Sequence, residues 1–431
     1  MKMIMSRLHT FGMFRQQIHT IISQETIKPS YPTPSHLRTH NLSLADHIAP
    51  NVHLPLIFFY KSYKNADINT LKKSLSQTLT QYYPFAGRLH SPSAPHIDCN
   101  GEGVEFLEAL SDSRLDEFVL NKEQDQTLNQ LIPNSLGCAV NKTSPVMVQV
   151  QLNRFTCGGA ALALSISHKA GDGFTVVNFI NHWASVARGG SPINPTFFPS
   201  STSNIQVPEF DFQGINNAKY VTKRFIFHNS KLMELKNLVN GLGMTPINPT
   251  RVEVLSSLLF KSAVGATTTI SGSFQPSNLY QVVNLRRKIL AKLPEITAGN
   301  LLSVVMAKMA NPDEIKLNVV IAKLRKEIRE VKEVKDVEEA GEVLANTLPM
   351  MEHDGRNYNF SSLCRFPLYE VDFGWGKPVQ VLLQNETLVG RVTHLMDTPS
   401  GDGIEATVRL QKEEMDVFQH DNELLEYAQR I

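Results

Sequence analysis

The stretch LSISHKAGDGF, residues 164–174, sets a histidine where a β-like apolar run stops and an aspartate between two glycines four residues later. An imidazole in that position can act as a general base if it is neutral near pH 7. In open α/β sheets the carboxyl ends of strands border clefts, so His168 would be presented there. The helix that starts just beyond has a positive end, which disfavours imidazolium and lowers the histidine pKa. Gly171 and Gly173 add little bulk and let a ligand approach the backbone. On these residues alone a packed, structural histidine is the commoner reading of His168. Asp172 reads as the N-cap of the next helix or as the partner of an arginine. The residues leave these alternatives open.

Other chemistries find no support. The sequence has no G-x-S-x-G elbow, no phosphate-binding G-x-x-x-x-G-K-[ST] loop and no H-E-x-x-H pair. DFG at 372–374 invites a kinase reading, but no H-R-D loop accompanies it. The cysteines Cys99, Cys138, Cys157 and Cys364 are scattered, without zinc spacing, so neither a disulfide framework nor a metal is expected. Reduced thiols fit the cytosol. The sequons at Asn41, Asn141, Asn359 and Asn385 read as chance matches in the absence of a secretory signal. Lys and Arg number 42 against 41 Asp and Glu, a balance that leaves no field to attract nucleic acid or an anionic membrane. No apolar window is long enough to cross a bilayer. Residues 1–24 carry three basic and no acidic side chains. They are expected to form a frayed or locally helical extension, with an organellar transit peptide as the minority alternative.

At 431 residues the chain is too long for one typical core, so two domains are expected. The stretch 188–217 is rich in Pro, Ser, Gly and Asn and longer than an ordinary loop, which marks a crossover. The boundaries follow: an extension at 1–24, a first lobe at 25–195, a crossover at 196–218 and a second lobe at 219–431. Strands are expected at 55–61, 147–155, 160–167, 222–228 and 279–286. Helices are expected between 65 and 87, from Asp172 to about Arg188, after Ser230, and over 250–266. The charged run 322–342 reads as a solvated helix face. The fold class is mixed α/β in two lobes.

Two motifs narrow the reading further. His168 to Asp172 spells H-x-x-x-D, and Asp372, Phe373, Gly374, Trp375 and Gly376 spell D-F-G-W-G about two hundred residues later. In this order and spacing the chain resembles the plant BAHD acyltransferases, nearest their alkaloid acetyltransferase branch. IKPSYPTP (27–34), YYPFAGRL (82–89), DCNGEGVEFLEA (98–109), NLR (284–286) and MDTPSGDGIEA (396–406) extend the likeness over nearly the whole chain. Two departures stand out: the residues before about 24, and Leu363 where the family pattern suggests tryptophan.

The resemblance implies two similarly sized lobes of the CoA-dependent, chloramphenicol acetyltransferase-like type with a solvent channel between them. It implies acyl-CoA as co-substrate, a small-molecule alcohol as acceptor, no resident cofactor, no metal, and a cytosolic monomer. The expected reaction moves acetyl from acetyl-CoA to a hydroxyl of an alkaloid or terpenoid. An acylsugar or other short-chain acyltransferase, and a non-catalytic binding protein of the same family, are the alternatives. His168 would be the general base, and Asp172 would support it through Arg286. Asn300 and Trp375 are candidates for holding the oxyanion. The residues of DFGWG would form a structural loop on the CoA side, with aromatics packed under the second lobe. Thr250, Arg251, Ser256 and Ser257, at the start of a helix, are candidates for the CoA phosphates.

Overall fold

The run AALALSIS forms the strand Ala160–Ser167, buried at every residue. Leu162, Leu164 and Ile166 enter one apolar core, and Ala161 and Ala163 face another. A strand covered on both faces has no side to show to water, so its sequence reads as an unbroken apolar run. The computed structural model describes residues 19–64, 67–91, 93–119, 126–133, 146–198, 220–242, 247–286, 296–331, 334–347, 356–384 and 390–430.

Ala160–Ser167 lies inside a six-stranded sheet. Its order is His19–Ile27, Val104–Ser111, Val148–Phe155, Ala160–Ser167, His53–Tyr60 and Gln380–Leu383. Pairing is antiparallel except between Val104–Ser111 and Val148–Phe155. Helices Ile68–Gln81 and Gly173–Ala187 cover one face, where Leu71, Leu75 and Leu79 share a core with Phe179, Ile180 and Trp183.

Two sequence-based boundaries give way. The break expected at residue 24 falls inside the strand His19–Ile27, which pairs with its neighbour from His19 opposite Ser111 to Ile27 opposite Val104. This is an edge strand with mostly exposed side chains, so its sequence lacks the apolar alternation that would announce it. At the other end, Gln380–Leu383 comes from the expected second lobe yet pairs with Leu56–Phe59 of the first. Leu363, Leu368, Val371 and Phe373 enter the first core with it. The expected crossover at 196–218 lies outside the described residues except for 196–198.

The second sheet has seven strands in the order Leu302–Met309, Ser277–Asn284, Arg356–Ser362, Arg391–Asp397, Gly403–Gln411, Tyr220–His228 and Gln429–Arg430. Helices Asn229–Gly241, Arg251–Ser271 and Leu317–Glu330 pack on one face, over Phe225, Leu279, Leu395 and Val408. The period of two then turns Tyr280, Val282 and His394 to the opposite face, toward the first lobe.

The charged run divides between Leu317–Glu330 and Val337–Thr347, and only part of it is solvated. Val337–Thr347 packs against the short helix Leu44–Ile48 of the first lobe. Gly341 stands at that contact, where an added Cβ would meet Leu44 Cβ at 2.9 Å. Among the described residues no helix is long and apolar enough to cross a membrane.

Candidate active site

His168 follows directly on Ala160–Ser167. Ser167 N–H donates to Met147 O at 2.8 Å and His168 N–H to Val52 O at 2.9 Å, so both flanking segments hold the strand end. Ala170 N–H then donates to Ser167 O at 2.9 Å and turns the chain. Both neighbouring strands are antiparallel, so the site is not the cleft that parallel strands open at their carboxyl ends. It opens instead because the second sheet faces this turn.

Asp172 is fully occupied. It caps Gly173–Ala187 through Oδ1, which accepts Thr175 N–H at 3.0 Å. Oδ2 accepts from Arg286 Nη1 at 2.6 Å and from Leu301 N–H at 3.1 Å. Arg286 also donates to Gly299 O at 2.8 Å, and its guanidinium stacks 4.5 Å over the Phe174 ring. The cap and the ion pair are therefore one structure, and both residues are buried. Burial opposes the carboxylate, but Arg286 and the amides of Thr175 and Leu301 outweigh it and hold the Asp172 pKa below its ordinary value.

Asn300 joins the lobes. Its Nδ2 donates to Asp46 Oδ1 at 2.8 Å and to His168 O at 2.7 Å, and its backbone N–H donates to Asp46 Oδ1 at 2.8 Å. Both amide hydrogens are committed, so Asn300 is a strut under the histidine turn in this structure, with no hydrogen directed at an oxyanion. Asp46 is a residue sequence reasoning missed. Its other oxygen accepts Ser43 N–H at 3.0 Å, completing a capping box on Leu44–Ile48. Ser-x-x-Asp before an apolar run is a readable helix start. Its link to a residue 254 positions away is not.

His168 stands on the wall of a cavity of about 340 Å³. Ile48, Val52 and Leu56 supply the first-lobe side; Tyr280, Val304 and Leu363 are among those facing them. Leu363 thus lines the cavity where the family pattern suggested a tryptophan. Burial lowers the His168 pKa from 6.5, against smaller opposing effects of its own carbonyl, Asp172, Asn300 and Asp46. The cause is desolvation more than the helix end. A neutral imidazole on an apolar wall can accept a proton from a hydroxyl held against it.

The other candidates lie elsewhere. Trp375 is not in the cavity wall: its indole packs edge-on to Tyr60 and Tyr63, with ring centroids 5.2 and 4.9 Å away. Phe373 meets Trp183 edge-on at 4.9 Å, so the loop's aromatics pack on the first lobe and not under the second. Asp372 Oδ1 accepts Gly374 N–H at 2.7 Å and Gly376 N–H at 3.0 Å. Both glycines have positive φ, which lets the loop close over that carboxylate. Thr250 caps Arg251–Ser271, and Arg251 pairs with Asp397 at 3.0 Å. Ser256 and Ser257 are fully buried; Ser256 Oγ donates to Gln281 Oε1 at 3.3 Å and Ser257 Oγ to Val254 O at 2.8 Å. Both hydroxyls face the lobe's interior.

The sequence profile described as the Transferase family matches residues 18–425. The chain is a BAHD acyltransferase. A curated relative from Strychnos nux-vomica, 17,18-epoxy-17-hydroxycur-19-ene N-malonyltransferase, is 34% identical, over 98% of this chain and 92% of its own. Stemmadenine O-acetyltransferase from Catharanthus roseus is 32% identical, over 93% of this chain and 96% of its own. The crystal structure of vinorine synthase matches with a TM-score of 0.80 at 28% identity, over 96% of this chain and 99% of that one. F. sporotrichioides TRI101, in complex with coenzyme A and T-2, shares the fold at a TM-score of 0.68 and 18% identity, over 91% and 99%. As a BAHD enzyme the protein transfers an acyl group from acyl-CoA to a plant specialised metabolite.

Proposed function

We propose that this BAHD enzyme moves an acetyl group from acetyl-CoA to a hydroxyl of an alkaloid or terpenoid, with His168 as general base. The observation that carries this reading is a neutral imidazole on the wall of an apolar cavity shared by both lobes. His168 takes the hydroxyl proton as the acceptor oxygen bonds to the thioester carbonyl carbon. The tetrahedral adduct collapses, the carbon–sulfur bond breaks, and the proton passes to the departing CoA sulfur. Asp172 and Arg286 act on this step indirectly, by holding the turn that carries His168.

Acetyl is favoured over malonyl by the wall itself. The described lining residues include no Lys or Arg, so a malonyl carboxylate would be buried without a cation. The relatives include both an N-malonyltransferase and an O-acetyltransferase, so the choice rests on the wall. For the CoA phosphates, Thr250 and Arg251 at the head of Arg251–Ser271 remain in play, with a phosphate displacing Asp397 from Arg251.

The test is product mass after incubation with acetyl-CoA or malonyl-CoA and a panel of alkaloid, triterpenoid and sugar-ester alcohols. The reading expects a mono-acetylated alkaloid or triterpenoid ester. A malonylated product, or acylation confined to sugar esters, would overturn it.

A further inference from the structure

The cavity contains a second imidazole that acyl transfer leaves unused. His394 lies on Arg391–Asp397, on the face turned to the cavity, whereas Leu395 enters the helical core. The residue is 8% exposed, and its Nδ1 has no hydrogen-bond partner among the described residues. Burial drives its pKa down to about 4, so the ring is neutral and offers one donor and one acceptor.

Its surroundings do not satisfy it. Ser361 stands beside it on one strand and Thr407 on the other, and Thr407 Oγ1 is itself buried without a partner. A charged pair on this face, Arg224 and Glu405, is joined at 2.7 and 2.9 Å. Val282, Val304 and Val392 make much of the remaining wall. A buried polar group left unpaired among aliphatic side chains is costly, so it is expected to find its partner in what fills the cavity. The described lining side chains include no Lys, Arg or Glu, and the single aspartate is taken by Arg286. A charged occupant would be stranded there. The volume, about 340 Å³ between largely apolar walls, suits a rigid apolar body.

We propose that His394 anchors the acceptor by a hydrogen bond to a polar group other than the hydroxyl that reacts. The acceptor class is then a neutral, largely apolar polycycle with two separated polar groups. This rests on the acyl-transfer reading for what the cavity is for, and it adds which acceptors the cavity takes.

Calorimetric titration without acyl-CoA tests it, with androstanol, androsterone and androstanediol as probes. These share one skeleton and one hydroxyl, and the last two add a ketone or hydroxyl at the far end. The protein is wild type, His394→Leu and His394→Gln, each checked for a cooperative thermal transition. Wild type is expected to bind at least one doubly oxygenated steroid about tenfold more tightly than androstanol. That preference should vanish in His394→Leu and largely survive in His394→Gln. A preference unchanged in His394→Leu would overturn the assignment. Equal binding of all three by wild type would mean that water alone satisfies His394, and would overturn it too. Binding of none would reject the polycyclic class. Because no acyl donor is present, the titration reads acceptor binding alone: its failure leaves acetyl transfer to be judged by product mass, and a failure of acetyl transfer leaves this binding result unchanged.

Discussion

The carboxylate of Asp172 illustrates how a residue four positions from a catalytic candidate can serve it without touching substrate. Both of its oxygens are engaged, by Thr175 on one side and by Arg286 and Leu301 on the other. Replacing it with asparagine removes the negative charge and leaves the Arg286 cation buried among neutral groups. Breaking one half of a buried pair costs about 3–5 kcal/mol, so Asp172→Asn should lower unfolding free energy in urea by that order. The sign of the pH effect follows from the lowered pKa. The Asp172 contribution is present above the ordinary carboxylate range and is lost as pH falls through the folded value. Asp172→Asn should therefore be deficient already at neutral pH. The motif spacing and the cap were readable in the sequence. The struts under His168 were not, because Asp46 and Asn300 meet only when the lobes close on each other.

At the scale of elements, the DFGWG loop works as a plug. Asp372 folds it, and Phe373 and Trp375 seat it among Tyr60, Tyr63 and Trp183 of the first lobe. The strand Gln380–Leu383 then completes the six-stranded sheet. Phe373→Ala should cost about 3–5 kcal/mol, read as an earlier urea midpoint, with kcat of the folded enzyme nearly unchanged. A large loss of kcat at full stability would instead place the loop in the chemistry. The apolar runs of the central strands and the helix after Asp172 were legible, since burial on two faces and a helical stripe leave direct marks. The edge strand His19–Ile27 was not, because its exposed side chains carry no alternation. Nor was the return of Gln380–Leu383, since pairing across more than three hundred residues leaves no local pattern.

The whole molecule encloses its site between an apolar first-lobe edge and one face of the second sheet, and two neutral histidines, the half-buried His53 and the buried His394, mark its sensitivity to acid. His53, whose Nε2 lies 3.0 Å from Val146 O, and His394 are both driven down to about 4 by burial. Each contributes fully above the unfolded value of about 6.5, and that contribution is lost as pH falls from there toward 4. Thermal midpoints should therefore drop steeply between those limits, and His53→Gln should flatten the curve. A curve equally steep in the variant would place the acid sensitivity elsewhere. Mixed α/β character and two lobes were legible from composition and periodicity. Which sheet face would become the cavity was not, because Tyr280 and Leu279 differ in surroundings only after the second lobe meets the first.

The central claim is that His168 is the base, and free-thiol release from acetyl-CoA with an accepted alcohol tests it most directly. The comparison is wild type against His168→Ala, both shown to be folded, at saturating concentrations of both substrates. Acceptor-dependent release should fall by about 10²–10⁴ in the variant. Release at an undiminished rate from folded His168→Ala would contradict the account and return His168 to the packed histidines.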